Sequence, residues 1–240
     1  MSFEPATDSA PDSAPDSAPD SSPRLMVAVL GGTGPQGRGL GRRFALAGHE
    51  VILGSRDGAR AEGVAAELAS ALPGTTLSGA SNAAAAAAAS IVIVAVPYEG
   101  HRALLESLRA ELAGKIVVDC VNPLAFDDRG PHPLAVAAGS AAQEAQVVLP
   151  DSRVVAAFHH VSAVLLEDPL LATVETDVLV LGDDRSATDA VEALVATVTG
   201  MRGIYAGRLR NAAQIEALTA NLIAINRRYR THAGIRITGL

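Results

Sequence analysis

Short apolar runs alternate along the chain with longer segments in which apolar residues recur at helical spacing. Unbroken runs such as residues 25–30 (LMVAVL) and 90–97 (SIVIVAVP) are typical of strands buried on both faces of a sheet. Further strands are predicted at EVILG, TTLSG, KIVVDCV, SRVVAAF and DVLVLGD. Strands and helices in alternation indicate an α/β protein with a parallel sheet and right-handed crossovers.

The segments between these strands carry the helical pattern. Helices are predicted from the glycine-rich turn to about residue 48, over residues 58–72, in the NAAAAAAA run, over about 98–112, 186–199 and 211–229. Ser186 and Asn211 are candidate N-caps for the last two. A long loop is predicted from residue 122 to residue 133.

The N-terminal segment has a different composition. Its repeated DSAP unit is small, acidic and proline-containing, so it cannot bury enough apolar surface to offset the entropy lost on ordering. We therefore expect a disordered tail over residues 1–24. The remaining chain is divided provisionally into residues 25–165, a nucleotide-binding domain, and residues 166–240, a small C-terminal lobe.

Charge and cysteine content exclude several classes of protein. The net charge is −7, although residues 201–240 hold seven arginines against the single acid Glu216. That basic footprint is too small for general nucleic-acid binding; it suits a small anionic ligand, a charged subunit contact or a solvated helix face. Cys120 is the only cysteine, which excludes an intrachain disulfide and a thiolate metal site, and favours an inert buried thiol in a cytoplasmic protein. No stretch of eighteen apolar residues occurs, so no membrane partner is expected.

The turn after the first strand carries the strongest motif. Gly32-x-Gly34-x-x-Gly37 stands between a predicted strand and a predicted helix, which is the context of a dinucleotide-binding turn. Glycines there permit a tight turn and a close approach of phosphate, and the helix N-terminus offers free N–H groups. The motif and its context predict a Rossmann-like doubly wound sheet.

The end of the second strand indicates which dinucleotide binds. NAD enzymes usually place a carboxylate there, whereas this chain has Ser55 and Arg56, with Arg60 four residues later. A hydroxyl and a guanidinium suit a 2′-phosphate, so NADP is favoured over NAD. A small error in register would instead let Asp57 bind the ribose, and Arg60 taken alone is also a common surface residue.

Two later strand ends supply candidates for a second ligand. Val96 and Asn122 follow strands at the edge where α/β sheets bind ligands, although ordinary turn chemistry explains them equally well. His159 and His160 end the next strand and suit either packing or substrate contact. No third ligand with sensible spacing accompanies them, so no metal site is predicted.

The chain resembles the NADPH-dependent reductases of coenzyme F420, the F420H2:NADP oxidoreductases. The resemblance rests on VAVLGGTGPQGRGLGRRFALAGHEVILGSRD, VPYEGH, KIVVDCVNPL, AAFHHVSA, VLGDD and GRLRNAAQIEALTANLIAINRR, and covers the chain from Leu25 onward. It implies hydride transfer between NADP and the deazaflavin of F420, with a homodimer as the functional unit. The family pattern has Gly-Pro-Leu where this chain has Gly207-Arg208-Leu209.

The resemblance also assigns roles to individual residues. The phosphates and ribose of NADP would be held by Thr33, Pro35, Gln36, Ser55, Arg56 and Arg60, beside the motif glycines. The nicotinamide end would be lined by Val96, Gly100, Asn122 and Ala163. His159 and Leu209 would lie near the deazaflavin, and residues 166–240 would complete the F420 site. No acid–base constellation is expected, because the cofactors carry the chemistry.

Two other functions remain open from the residues. One is an NADPH-dependent reductase of another acceptor, such as a flavin, a ferric chelate or an imine, which the changed Gly-Arg-Leu turn favours. The other is a non-catalytic sensor of NADP(H). The second set of strand-end residues argues against the sensor, which needs no second ring pocket.

Overall fold

The computed structural model describes residues 24–240, so the predicted N-terminal tail, apart from Arg24, lies outside the described residues. The strands are β1 (Met26–Leu30), β2 (Glu50–Ser55), β3 (Thr76–Ser81), β4 (Ile91–Val94), β5 (Ile116–Asp119), β6 (Leu124–Asp127), β7 (Gly130–Pro133), β8 (Arg153–Ala156), β9 (Thr176–Gly182) and β10 (Met201–Gly207). The helices are α1 (Pro35–Leu46), α2 (Gly58–Ala71), α3 (Asn82–Ala88), α4 (Tyr98–Ser107), α5 (Arg109–Leu112), α6 (Ala141–Val148), α7 (Ala163–Glu167), α8 (Arg185–Ala196) and α9 (Ala212–Tyr229).

Eight strands form one sheet in the order β10-β9-β8-β5-β4-β1-β2-β3. From β3 to β8 every neighbouring pair is parallel, which confirms the doubly wound Rossmann-like arrangement. The strand order reverses between β1 and β4. That reversal opens a crevice at the carboxyl ends of the strands, where ligands of such sheets bind.

Strand register brings the candidate site residues to a common edge. Leu30, the last residue of β1, pairs with Gly54 on one side and Val94 on the other. The glycine-rich turn, Ser55 and the Ala95–Val96 segment therefore leave the sheet at the same level. Three motifs that lie far apart in the sequence thus become neighbours because of the strand register.

The sheet is not wholly parallel, which corrects the expectation from the alternating pattern. β9 runs antiparallel to β8, pairing Ala156 with Leu181, and β10 then pairs parallel with β9. The connection between β8 and β9 contains only the short helix α7, which packs against α1. Because this connection does not cross a face of the sheet, β9 starts at the carboxyl edge and runs back.

Several element boundaries also differ from the sequence-based expectation. The helix predicted to residue 112 is broken at Leu108, and the predicted loop 122–133 contains the antiparallel hairpin β6–β7. Neither α6 nor β10 was predicted, since their apolar residues are interrupted by polar ones and glycine. Asp184, not Ser186, caps α8, because its carboxylate accepts a hydrogen bond from the Ala187 N–H at 2.8 Å.

The core lies on both faces of the sheet. Alternate side chains of β1 divide between two buried clusters, with Val27 and Val29 in one and Ala28 and Leu30 in the other. All four residues are fully buried. This two-sided burial explains why the central strands have unbroken apolar sequences.

Candidate functional site: two cavities at the carboxyl edge

The turn between β1 and α1 contains two glycines, Gly31 and Gly37, that no larger residue could replace without a clash. Gly31 has φ +76°, and a Cβ atom there would lie 2.5 Å from the carbonyl oxygen of Ala95. A Cβ at Gly37 would lie 2.5 Å from the Gly31 carbonyl oxygen. At Gly34 the only neighbour would be that same oxygen at 3.5 Å, so this glycine borders open space. The turn is therefore closed by protein packing on one side and open to a ligand on the other.

The N-terminus of α1 is free to receive an anion. Gly34 occupies the N-cap position and Pro35 the first position, and no side chain caps the helix. The first turn holds no acidic residue. Its unpaired backbone N–H groups and the positive end of the helix dipole form an anion-binding feature beside the open face of Gly34.

A cavity of about 660 Å³, here called the dinucleotide cavity, extends from this turn past the end of β2. Its lining contains seven of the residues that the sequence implicates, which are Thr33, Gly34, Ser55, Arg56, Arg60, Val96 and Gly100. Gly32, Pro35 and Gly37 shape the adjoining turn without lining the cavity. The side chains of Arg56 and Arg60 are exposed and form no ion pair with any residue of the described chain, so their charges are available to an anionic ligand.

Asp57 stabilises the loop between β2 and α2 through two hydrogen bonds. Its carboxylate caps α2 by accepting a hydrogen bond from the Arg60 N–H at 3.2 Å. Its own N–H donates to Ser55 Oγ, also at 3.2 Å. Since the carboxylate is committed to the helix end, the side chains left at the mouth of the cavity are those of Ser55, Arg56 and Arg60.

A second cavity, of about 400 Å³, adjoins the first and is here called the junction cavity. Ala95 and Val96 line both cavities, so a ligand in one approaches a ligand in the other at this point. Of the implicated residues, the junction cavity is lined by Gln36, Val96, Asn122, His159 and Ala163. These come from α1, from the segments that follow β4, β5 and β8, and from α7 in turn.

The two histidines after β8 differ in their environment. His159 is buried, and neither ring nitrogen has a hydrogen-bond partner within residues 24–240. His160 Nε2 accepts a hydrogen bond from the Leu179 N–H at 3.3 Å, which joins the loop to β9. Burial lowers the pKa of each imidazole to about 4. His160 thus serves packing, while His159 is a neutral imidazole with free hydrogen-bonding capacity in the junction cavity.

Leu209 is the one implicated residue that neither lines a cavity nor belongs to the turn that adjoins one. It begins the short 3₁₀ turn before α9, is only 2% exposed, and packs in the core cluster that contains Ala212. It lines neither cavity. Its contact with a deazaflavin therefore stays a prediction that the shape of the cavities does not favour.

Sequence reasoning missed several polar residues of the site. Thr219 and Asn226 of α9 line the junction cavity, and Asn82 of α3 lines the dinucleotide cavity. Thr219 and Asn226 are seven residues apart, so helical periodicity signals a shared face, but the apolar stripe beside them dominated the interpretation. The Oδ1 atom of Asn82 is buried without a partner among the residues described.

Cys120 lines the junction cavity but is not an activated nucleophile. Its Sγ donates to the Val94 carbonyl oxygen at 3.0 Å. Burial, with a smaller contribution from the Asp119 charge, raises the pKa of the thiol. Within residues 24–240 no three His, Cys, Asp or Glu side chains are grouped to hold a metal ion. No helix in that same range is long and apolar enough to span a membrane.

Comparison with known proteins agrees with this geometry. Residues 26–123 match the family model described as NADP oxidoreductase, coenzyme F420-dependent. The F420-dependent NADP reductase of Methanothermobacter marburgensis is 40% identical over 223 residues, which cover 90% of this chain and 99% of the relative. The chain belongs to the family of F420-dependent NADP reductases.

Solved structures support the family assignment at the level of the fold. A candidate F420-dependent NADP reductase from Arthrobacter sp. FB24 superposes with a TM-score of 0.74 at 30% identity, covering 89% of this chain and 99% of that one. An imine reductase from Bacillus cereus BAG3X2 has a TM-score of 0.60 at 18% identity, covering 86% of this chain and 63% of that one. At that identity the imine reductase shares only the fold.

The residues present fit the two cofactors that the reductase family name specifies. The open face of Gly34 and the uncapped end of α1 suit a pyrophosphate, and the two free arginines suit a 2′-phosphate. The ring nitrogens of His159 are buried and unpartnered among residues 24–240, so polar groups of a ligand in the junction cavity would find free hydrogen-bonding partners there.

Proposed function

We propose that this protein transfers a hydride between NADP(H) and coenzyme F420. The observation that carries the proposal is the meeting of the two cavities at Ala95 and Val96, one with a dinucleotide turn and the other with a neutral histidine. Bound there, the nicotinamide and the deazaflavin supply the two-electron chemistry. The protein's task is to bind and orient them.

NADP is proposed to occupy the dinucleotide cavity. The turn residues Gly32, Thr33, Gly34, Pro35, Gln36 and Gly37 would hold the pyrophosphate, with the N–H groups of α1 directed at its charge. Ser55, Arg56 and Arg60 would hold the 2′-phosphate. Support for NADP rather than NAD comes from Asp57, whose carboxylate is used to cap α2.

F420 is proposed to occupy the junction cavity. Val96, Gly100, Asn122 and Ala163 would line the nicotinamide end, where the two rings meet. His159 would contact the deazaflavin by hydrogen bonding. Because both of its nitrogens are buried and unpaired, a planar heterocycle with donors and acceptors on its edge would satisfy them.

Binding and orientation are sufficient for this reaction. Holding two reactants in a productive geometry can supply roughly 7–11 kcal/mol of the activation barrier. Buried walls exclude water from the ring contact, and Val96 and Val161 provide such apolar walls in the junction cavity. The hydride adds to the deazaflavin ring, and one proton is taken up from solvent to complete the reduced cofactor, so the transfer itself requires no acid or base of the protein.

The test is a mixing assay with purified protein, NADPH and oxidised F420, followed by loss of the deazaflavin absorbance. We expect bleaching with NADPH and much slower bleaching with NADH. Arg56→Ala should raise the KM for NADPH about tenfold or more through loss of a charge-assisted phosphate contact, and leave the KM for F420 unchanged. Arg185→Ala is the matched control, since that arginine is exposed on α8 and lines neither cavity.

The assay also separates the acceptor from the dinucleotide. Tight NADPH binding without bleaching of F420 would overturn the F420 assignment and leave the NADP site standing. Bleaching of a flavin in its place would identify another acceptor. NADH and NADPH acting equally would contradict the role given to Ser55 and Arg56.

We further propose that residues 25–165 bind NADP and that residues 166–240 complete the F420 site and contribute to a homodimer. Thr219 and Leu222 of α9 on the wall of the junction cavity support the first part. Phe126 (68% exposed) on the hairpin and Tyr229 (72% exposed) on α9 support the second, because these two large exposed side chains lie on elements that pack against each other. Light scattering should give a dimer mass, which Tyr229→Glu with Phe126→Glu should reduce to that of a monomer.

A cytoplasmic location is proposed as well. The single cysteine is a buried free thiol with no disulfide partner in the chain, which suits a reducing compartment. Fractionation of cells that carry a tagged full-length chain would test this, and recovery outside the cytoplasm would contradict it.

A further inference from the structure

The loop after β8 contains a strained backbone position. Phe158 has φ +64°, a left-handed conformation that a bulky residue rarely adopts. Its side chain is fully buried, and its ring meets the ring of Phe44 edge-on with centroids 5.9 Å apart. Such strain persists only where the surroundings over-determine the conformation, and it is concentrated at functional sites.

Three elements hold this loop through its backbone carbonyls. Gln36 Nε2 of α1 donates to the Phe158 carbonyl oxygen at 3.3 Å. The His159 carbonyl oxygen accepts from Asn122 Nδ2 at 2.8 Å and from Thr219 Oγ1 at 3.0 Å. The last two bonds join the segment after β5 and helix α9 to a single atom of the loop.

The residue whose carbonyl is held in this way, His159, also has hydrogen-bonding groups that are free. His159 is 3% exposed, and both ring nitrogens lie buried without a partner among the residues that the structure describes. The carbonyl contacts define where its backbone lies, and therefore where the imidazole enters the junction cavity. Small errors in that placement are costly, because a hydrogen bond weakens steeply with poor geometry.

Helix α9 is itself held in place by hydrogen bonds to α6. The carboxylate of Glu216 accepts from the N–H groups of Ala141 and Ala142 at 2.9 and 3.1 Å, which ties α9 to the first turn of α6. Thr219 lies one turn further along the same helix. The Thr219 hydroxyl is therefore presented to the loop by a rigid element and not by a mobile one.

We propose that Thr219 is a positioning residue. Its hydroxyl, together with the Asn122 amide, fixes the His159 backbone so that the neutral imidazole meets the hydrogen-bonding edge of the planar heterocycle in the junction cavity. This inference rests on the proposed function for the identity of that heterocycle. The placement of His159 by Thr219 is independent of it.

The kinetic test compares two substitutions at one position. Thr219→Val removes the hydroxyl and keeps the shape, and should raise the KM for F420 or lower kcat by roughly three- to tenfold, the worth of one hydrogen bond. Thr219→Ser keeps the hydroxyl and should restore values near wild type. The KM for NADPH should change by less than about twofold in both, since Thr219 does not line the dinucleotide cavity. Should the valine variant fail to fold, Thr219→Ala removes the same hydroxyl.

Thr188→Val is the matched control for loss of a threonine hydroxyl. Thr188 lies on α8 and donates to the Arg185 carbonyl oxygen at 2.9 Å. It touches neither cavity. Its substitution should affect stability alone and leave the kinetic constants for both cofactors unchanged.

A readout without F420 keeps the inference separate from the proposed function. NMR of labelled imidazoles should show the His159 resonances displaced in Thr219→Val and restored in Thr219→Ser. If wild-type protein does not reduce F420, the proposed function fails and the NMR comparison alone decides the role of Thr219. Unchanged His159 resonances in Thr219→Val overturn the inference, as does an equal kinetic loss in the serine and valine variants.

Discussion

The Nε2 atom of His101 lies 2.5 Å from the Oδ2 atom of Asp119, and both side chains are completely buried. His101 follows Gly100 on α4, beside the dinucleotide cavity, while Asp119 ends β5 one residue before the wall of the junction cavity. The other oxygen of Asp119 accepts from the Val121 N–H at 3.1 Å. The His101–Asp119 pair therefore links α4, beside the dinucleotide cavity, to β5, beside the junction cavity.

The His101–Asp119 pair predicts a dependence of stability on pH above the usual histidine range. Burial lowers the pKa of His101, but the charge and hydrogen bond of Asp119, aided by Glu144, outweigh it and raise the pKa. A raised pKa means that the stabilisation is fully present below about pH 6.5 and is lost as the pH rises through the folded-state pKa. Urea unfolding at pH 6 and pH 9 should show this loss.

Asp119→Asn should remove that dependence and much of the stability. Breaking one side of a buried ion pair costs about 3–5 kcal/mol of unfolding free energy. His132→Asn is the control, since His132 is half-exposed and lies 3.9 Å from Asp127. An Asp119→Asn protein as stable as wild type at pH 6 would show that the pair is not charged in the folded state.

Glu216→Gln should change stability in a lower pH window. Burial raises the pKa of Glu216 to about 7, while the bonds from the Ala141 and Ala142 N–H groups act in the opposite direction. For a carboxyl whose pKa rises from 4.5 on folding, stability is greatest below 4.5 and declines as the pH rises through about 7. The glutamine variant should lose this slope, whereas the exposed Glu62→Gln should keep it.

The same substitution should also loosen α9 from α6. A glutamine has one acceptor oxygen for two N–H donors, so a cost of about 1–3 kcal/mol is expected from the unpaired donor. Hydrogen exchange at Ala141 and Ala142 should become faster. Unchanged exchange there would argue that water replaces the carboxylate without loss.

Arg43→Lys should weaken the attachment of the segment that contains α7 to the rest of the protein. The Arg43 guanidinium donates to the carbonyl oxygens of Leu165, Leu166, Asp168 and Leu171 at 2.7–3.1 Å. A lysine cannot reproduce this planar fork, and each lost bond from a charged donor is worth about 1.5–3 kcal/mol. We expect a lower Tm and faster hydrogen exchange over residues 163–171.

Arg42→Lys is a close control for this prediction. Arg42 is the preceding residue, is also buried, and its Nε has no partner within residues 24–240. The same chemical change there should have a much smaller effect on exchange in the α7 segment. Equal effects at the two positions would show that loss of the four Arg43 hydrogen bonds is not what loosens the segment.

Two glycine substitutions should separate folding from cofactor binding. Gly37→Ala places a Cβ 2.5 Å from the Gly31 carbonyl oxygen and should destabilise the fold by about 1–3 kcal/mol. Gly34→Ala meets protein only at 3.5 Å and should leave the Tm nearly unchanged. It should nevertheless weaken NADPH binding, because the new methyl group occupies the open face of the turn.

Thermal melts with and without NADPH measure both effects. The Gly34→Ala protein should melt like wild type without ligand and gain much less from NADPH. Full ligand stabilisation of Gly34→Ala would indicate that the pyrophosphate does not approach this residue.

The first half of the site was predictable because its signals are local. The unbroken apolar strands, the Gly32–Gly37 turn and the Ser55–Arg56 pair each lie within a window of a few residues. Burial on both faces and the need for free helix N–H groups act over the same short range. The position of Ser55 at the carboxyl edge follows directly from the register of β2 with β1.

The second half depended on contacts between distant parts of the chain. Gln36, Asn122 and Thr219 converge on the loop at His159, although no local pattern relates them. The antiparallel direction of β9 was not predictable from local sequence for the same reason, since strand direction depends on whether the connection crosses the sheet. His101 and Asp119, eighteen residues apart on α4 and β5, were read only as parts of their own elements.

The sequence by itself therefore determined the α/β class and the glycine-rich turn, and it predicts a phosphate contact at Ser55 and Arg56. Only the tertiary structure decided that Leu209 is core, that Asp57 is a helix cap and that Thr219 holds His159. Periodicity and turn chemistry are properties of residues close together in the chain. Hydrogen-bond partners and burial depend on the spatial order of the strands in the sheet. The chemistry of a residue is set by its own side chain, whereas the residues that it contacts are set by the arrangement of the sheet.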